Sequence, residues 1–144
     1  MRDKISFEFK PELCIYCHAC ETACRTWRNP EKGISYRKVV AYEEGCFPDV
    51  KVTYVSESCR HCDNPECADV CPVGAISVEE DGAVVVDRDT CIGCGACAGA
   101  CPYNVPQFGA DGTMQKCDMC HGIKPEEMRF PCARMCPTGA LSLK

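Results

Sequence analysis

Cysteine is the residue of this chain that can do chemistry, and its spacing is not random. Of seventeen cysteines, sixteen fall into four groups of four: Cys14, Cys17, Cys20 and Cys24; Cys59, Cys62, Cys67 and Cys71; Cys91, Cys94, Cys97 and Cys101; Cys117, Cys120, Cys132 and Cys136. Thiols at this density form disulfides or bind a soft metal. An odd count, an opening MRDKISFEFKPE with no apolar stretch or Arg-Arg pair, and CxxC neighbours that make poor structural bridges all speak against disulfides. Zinc would account for the last group, read as half of a ribbon, but not for CxxCxxCxxxCP in the third. A cubane [4Fe-4S] cluster needs four thiolates, three close together and a fourth from elsewhere. Four clusters use sixteen cysteines and leave Cys46 over.

The third group, CIGCGACAGACP, is the ferredoxin-type run, in which the first three cysteines hold one cluster and the fourth ligates its neighbour. The second group, CRHCDNPECADVCP, supplies that neighbour with two extra residues between its second and third cysteines. The expected sets are Cys59, Cys62, Cys67 with Cys101, and Cys91, Cys94, Cys97 with Cys71. The first group, CIYCHACETAC, pairs with the last by the same rule: Cys14, Cys17, Cys20 with Cys136, and Cys117, Cys120, Cys132 with Cys24. The two chain ends would then be joined, and one module, split in sequence, would enclose another.

The elements that must hold these loops are short. Ile5, Phe7 and Phe9 alternate with polar residues as a strand; Ala75 to Val78, the turn Glu80-Asp81-Gly82, and Val84 to Val86 read as a hairpin. CPVGAISV after the second group and CPTGALSL after the last repeat each other, the mark of an internal duplication. GISYRKVVAYEEGCFPDVKVTYV alternates apolar and polar residues on both sides of Glu43-Glu44-Gly45 and reads as an inserted β-hairpin turning there. The fold class expected is α+β, two ferredoxin-like [4Fe-4S]-binding modules with the second inserted within the first. Residues 1–32 and 107–144 form the split outer module, 33–55 the added hairpin and 56–106 the inner module.

The apolar share of 46% includes all the cysteines and falls to about a third of the residues without them, low for a self-supporting core. Metal must supply folding energy, and the apoprotein is expected to be largely unfolded. The formal charge is −5, and with about −2 from each oxidised cluster and its thiolates the loaded chain reaches roughly −13, which excludes nucleic acid as a natural partner. No run of 18 apolar residues could span a membrane.

Cys46, at the expected hairpin tip, reads as a free thiol rather than a ligand. His18, His61 and His121 each adjoin a ligand cysteine; since no cysteine is missing, they are read as donors to cluster sulfur or as plain surface. Arg25, Arg28, Arg60, Lys116 and Arg134 crowd the cluster loops, where cations raise reduction potentials or form docking contacts. No GxGxxG, P-loop or nucleophile elbow occurs, and no cluster lacks a ligand, so no catalytic residue is assigned and the chain is read as moving electrons.

The order of the groups, with SCRHCDNPEC, VCPVGAI, EEDGAVVVD, DTCIGCGACAGACPYNVPQF, KCDMC and CPTGAL, resembles the iron-sulfur subunit of dimethyl sulfoxide reductase-type molybdoenzymes over nearly the whole chain. The resemblance implies an electron-transfer subunit of anaerobic respiration, not itself an enzyme. It would wire a large molybdenum or tungsten bis-pterin catalytic subunit to a membrane quinone anchor or another redox partner. It also implies that the split module lies nearer the catalytic subunit and the inner module nearer the anchor. Relatives with an anchor often continue beyond CPxxAL, whereas this chain stops at Leu143-Lys144, which puts that partner in doubt. The expected location is cytoplasmic or at a membrane through partners, with co-export alongside a signal-bearing partner open. The rival readings are a formate dehydrogenase or hydrogenase subunit and a free polyferredoxin.

Overall fold

The computed structural model describes residues 4–144; Met1 to Asp3, the start of the segment expected to begin a strand, lie outside the described residues. Four separate two-stranded antiparallel sheets carry the chain among the described residues. β1 (Phe7–Phe9) pairs with β8 (Leu141–Leu143), so the two ends of the chain do meet, with Phe7 opposite Leu143 and Phe9 opposite Leu141. β4 (Ile76–Val78) pairs with β5 (Val84–Val86) around the expected turn.

β2 (Arg37–Cys46) and β3 (Asp49–Ser58) form the inserted hairpin. It reaches Ser58, and its turn is not at Glu43-Glu44-Gly45. Those residues are strand, opposite Val52, Lys51 and Val50, and the chain reverses at Phe47 and Pro48. β6 (Gln107–Phe108) and β7 (Met114–Gln115) form a further short hairpin that the sequence pattern did not announce.

The helices are equally brief, apart from α1 (Ala19–Arg28). Its Cys20 and Cys24, four residues apart, share one buried face. It ends at Asn29, whose left-handed backbone returns an N–H to the Arg25 carbonyl, with Arg25 and Arg28 beside the negative end of the dipole. Glu21 reaches out of the first turn to accept the Val39 N–H at 2.9 Å, tying α1 to β2. α1 packs on α4 (Pro131–Arg134), and α2 (Glu66–Asp69) packs on α3 (Ala96–Ala100). Each pair carries cysteines from two groups, as the duplication requires.

Two-stranded sheets are marginal by themselves, and the buried clusters here are small and built partly from cysteine. One joins Cys20, Val39, Cys132 and Leu141, a second Ile76, Val84, Cys97 and Met114. A third, Ala83, Met119 and Phe130 with Ile5 and Val85 against it, closes the seam between the inner hairpin and the chain ends. Asp81 reinforces that seam: its carboxylate accepts from Arg129 at 2.8 Å and from the Ala83 N–H at 3.1 Å, and its carbonyl accepts the Ile5 N–H. Burial pushes the Asp81 carboxyl up, but these donors together leave it below the usual value.

Candidate iron-sulfur sites

Cys14, Cys17 and Cys20, on the loop entering α1 and its first turn, line a small pocket together with Cys136, which precedes β8. The walls include Phe9, Val39 and Leu141. A second small pocket is lined by Cys91, Cys94 and Cys97 with Cys71, and walled by Ile76, Val86, Phe108 and Met114. In each, three cysteines near in sequence meet one from another group. Phe108 and Met114 thus pack against the inner module, although they lie beyond residue 106.

Among the other eight cysteines, mutual electrostatics link Cys24, Cys117, Cys120 and Cys132, and Cys59, Cys67 and Cys101. Burial, then Cys132 and Cys120, pushes the Cys24 thiol up to about 12. Burial likewise takes Cys117 to about 12, with Cys24 adding to it and Arg37 opposing. Cys67 is raised by burial and by Cys59 and Cys101, against Lys116. Such thiols stay protonated until a metal displaces the proton, which couples loading to folding.

Cys71 and Cys136 behave differently, and the repeated CPxGA explains why. Burial pushes Cys71 up, but backbone N–H groups of Ala75, Val73, Gly74 and Ile76 outweigh it and leave the thiol below its usual value. At Cys136 burial is again outweighed, by Leu141, the Thr138 hydroxyl and N–H, and Ala140. The turn after each CP folds its amides back onto the sulfur, a nest that favours thiolate.

This donor set fits an iron-sulfur core. Four thiols ring each defined pocket, and the turn amides favour thiolate at Cys71 and Cys136. Among the described residues no three of His, Cys, Asp or Glu are drawn together tightly enough to hold a single ion, as a tetrahedral zinc site would need.

Cys46 is exposed at the end of β2. His18 sits 3.3 Å from Glu21, edge-on to Tyr16, and His121 lies between Asp81 and Glu79. His61 is 2% exposed. Its Nδ1 accepts the Val84 N–H at 2.9 Å, so its proton is on Nε2, which is buried with no protein partner. Burial and then the charges of Lys116 and Arg37 depress its pKa to about 3. Lys116 is itself buried, donating to the carbonyls of Val84 and Cys117. Of the other cations, Arg28 pairs with Asp118, Arg25 donates to Ser35 at 2.7 Å, and Arg60 stacks 4.1 Å above Tyr103. Arg37 and Ser56, at the root of the hairpin and facing the cysteines, carry no motif and were not singled out by the sequence.

Crossed thiol sets with amide nests, on short ferredoxin-type elements, define an iron-sulfur protein. Known proteins agree: residues 50–144 match the 4Fe-4S dicluster domain family and residues 11–27 a 4Fe-4S binding domain. The chain is 39% identical to the probable anaerobic dimethyl sulfoxide reductase subunit YnfG of Escherichia coli (strain K12) and 38% identical to an anaerobic dimethyl sulfoxide reductase subunit of the same strain, in both cases over 98% of this chain and 73% of the relative. It is 37% identical to the formate dehydrogenase iron-sulfur subunit of Wolinella succinogenes, over 96% of this chain and 80% of that one. The chain belongs to this family of iron-sulfur subunits.

Proposed function

We propose that this chain is the electron-transfer subunit of a molybdenum or tungsten bis-pterin oxidoreductase complex, carrying four [4Fe-4S] clusters and no catalytic residue of its own. The ligand sets are Cys14, Cys17, Cys20 and Cys136; Cys117, Cys120, Cys132 and Cys24; Cys59, Cys62, Cys67 and Cys101; Cys91, Cys94, Cys97 and Cys71. The observation that carries this reading is the pair of cavities in which three local cysteines meet Cys136 or Cys71. The domain reading is an outer module split between the chain ends and an inner one; the packing of Phe108 and Met114 supports extending the inner one to about Gln115.

When bound, each cluster supplies a one-electron carrier that changes oxidation state with little rearrangement. The chain's residues fix the cores and keep them dry: Leu141 and Val39 cover one cavity, Met114 and Ile76 another, and the CPxGA amides hold negative charge on Cys136 and Cys71. The outer module faces the catalytic subunit in this reading. The inner module faces a membrane quinone anchor or another carrier, and the complex sits at the cytoplasmic side of a membrane or is co-exported with a signal-bearing partner. No described helix is long and apolar enough to cross a membrane.

The names of the relatives support both a dimethyl sulfoxide reductase-type and a formate dehydrogenase-type partner. Anaerobic affinity purification from the native cell, assaying iron, molybdenum and tungsten together, tests the reading. A large partner bringing molybdenum or tungsten, with about sixteen irons on this chain, is expected. The loaded chain alone would make it a free polyferredoxin.

A further inference from the structure

Arg37 opens β2 and is 3% exposed, an unusual place for a guanidinium without a carboxylate partner. Its plane lies over the Phe7 ring at 4.6 Å. Nη1 donates to the Ser56 hydroxyl oxygen at 3.0 Å and, more weakly, to the Ser56 carbonyl at 3.4 Å. A guanidinium cannot accept, so the Ser56 hydroxyl takes that bond on oxygen, and once Cys20 is a ligand thiolate with no hydrogen of its own the hydroxyl donates to Cys20 Sγ, 3.3 Å away. The result is a directed relay from cation to hydroxyl to thiolate, each bond polarising the next.

The other arm of the fork, Nη2, is sealed from solvent and has no protein acceptor. A buried charged N–H is expensive to leave unpaired. Through the Ser56 hydroxyl this guanidinium reaches Cys20 Sγ, a member of one proposed outer set. The hairpin therefore does more than project from the surface, because its root holds a buried positive charge one hydroxyl away from a ligand sulfur.

We propose that Arg37 sets the potential of the outer cluster held by Cys20, donating through the Ser56 hydroxyl toward Cys20 Sγ. This rests on the ligand sets proposed above. The step is a one-electron reduction of each cluster by dithionite through mediators, with no covalent bond made or broken. The added negative charge strengthens the donor relay to Cys20, so Arg37 favours the reduced form.

The test uses the purified complex with Arg37→Gln, Arg37→Lys and Ser56→Ala, each assayed for iron and then titrated potentiometrically with EPR detection. Arg37→Gln is expected to move the redox equilibrium of the cluster held by Cys20 about tenfold toward the oxidised form, about 59 mV for a one-electron couple. Arg37→Lys should recover most of this. Ser56→Ala should move only the signal that Cys20→Ser identifies, by a few-fold. Arg37→Gln midpoints all within about twofold of wild type, at full iron, would overturn the proposal; if that variant does not load, the Ser56→Ala titration decides by the same criterion. Failure of the ligand sets looks different: Cys20→Ser and Cys136→Ser would then alter different EPR signals.

Discussion

The CIGCGAC loop contains two glycines with left-handed backbones that differ in what surrounds them, so alanine at each separates packing from conformation. Gly93 has φ +68°, and a Cβ there would stand 2.3 Å from the Gly112 carbonyl oxygen and 3.1 Å from its carbon. Gly95 has φ +79° with nothing within 4 Å of the same position. Left-handed backbone costs a non-glycine residue about 1–2 kcal/mol, partly offset by about 0.4–1 kcal/mol because alanine restricts the unfolded chain. Gly95→Ala should therefore cost roughly 1 kcal/mol. Gly93→Ala adds a clash with backbone, where overpacking typically costs a further 1–3 kcal/mol, and the relief must come from the β6–β7 turn or from the loop between Cys91 and Cys94. At about 2–4 °C per kcal/mol for a chain of this size, the first variant should melt a few degrees low and the second roughly 5–15 °C low in anaerobic scans of the loaded protein at one rate. The Gly93→Ala loss should be accompanied by an altered EPR signal from the cluster proposed on Cys91, Cys94, Cys97 and Cys71. Equal shifts in the two variants, or an unperturbed signal in Gly93→Ala, would refute the close approach of Gly112 to this loop.

Arg129→Met leaves the buried Asp81 carboxylate without its guanidinium and should cost about 3 kcal/mol, seen as a lower melting temperature of the loaded protein; a change below about 1 kcal/mol would mean that the seam does not depend on this pair. His61→Phe keeps the ring volume but deprives the buried Val84 N–H of its acceptor, and a loss of about 1–3 kcal/mol is expected by the same assay. Cys46→Ser should leave iron content unchanged, and a loss of about four irons per chain would make Cys46 a ligand. Cys101→Ser should disturb the EPR signal of the cluster built on Cys59, Cys62 and Cys67. Disturbance of the Cys91, Cys94 and Cys97 cluster instead would refute the crossing there.

What was legible in the sequence is what local chemistry dictates. Cysteine spacing announced the two groupings that line pockets, Cys14, Cys17 and Cys20 with Cys136 and Cys91, Cys94 and Cys97 with Cys71, and the CPxGA repeat announced the strands after Cys71 and Cys136, where corresponding turns fold amides toward sulfur. The hairpin was legible as a hairpin but not its register. Residues 41 to 50 are all exposed or nearly so, which leaves no buried face to pin the pairing, and Glu43-Glu44-Gly45 carries stronger turn chemistry than the actual reversal at Phe47-Pro48. The strands β6 and β7 are two residues each, too short for any period, and only Met114, buried against Ile76 and Val84, shows which module they serve. Arg37 was hidden for a related reason: in a strand that alternates polar and apolar residues, an arginine reads as solvent-facing, and nothing local distinguishes it from Lys38, which is exposed.

Duplication supplies two modules with equal parts, and the hairpin makes them unequal. Cys71 and Cys136 are met by amides of corresponding CPxGA turns, so that feature alone would give the two clusters proposed on them similar electronics. The outer module, however, has the longer α1, which buries Cys24 in mid-helix, while its counterpart Cys101 caps the end of α3. Burying a thiolate raises the cost of adding an electron beside it, and the outer module answers with two guanidiniums, Arg28 and Arg37, whose charges both act on Cys24. The inner module has no buried arginine beside Cys97, and Lys116 at the seam acts on Cys67 instead. On the proposed ligand sets every ligand is cysteine, so the two halves differ in what stands behind the sulfur, as the Ser56 hydroxyl stands 3.3 Å behind Cys20 and itself accepts from the Arg37 guanidinium at 3.0 Å.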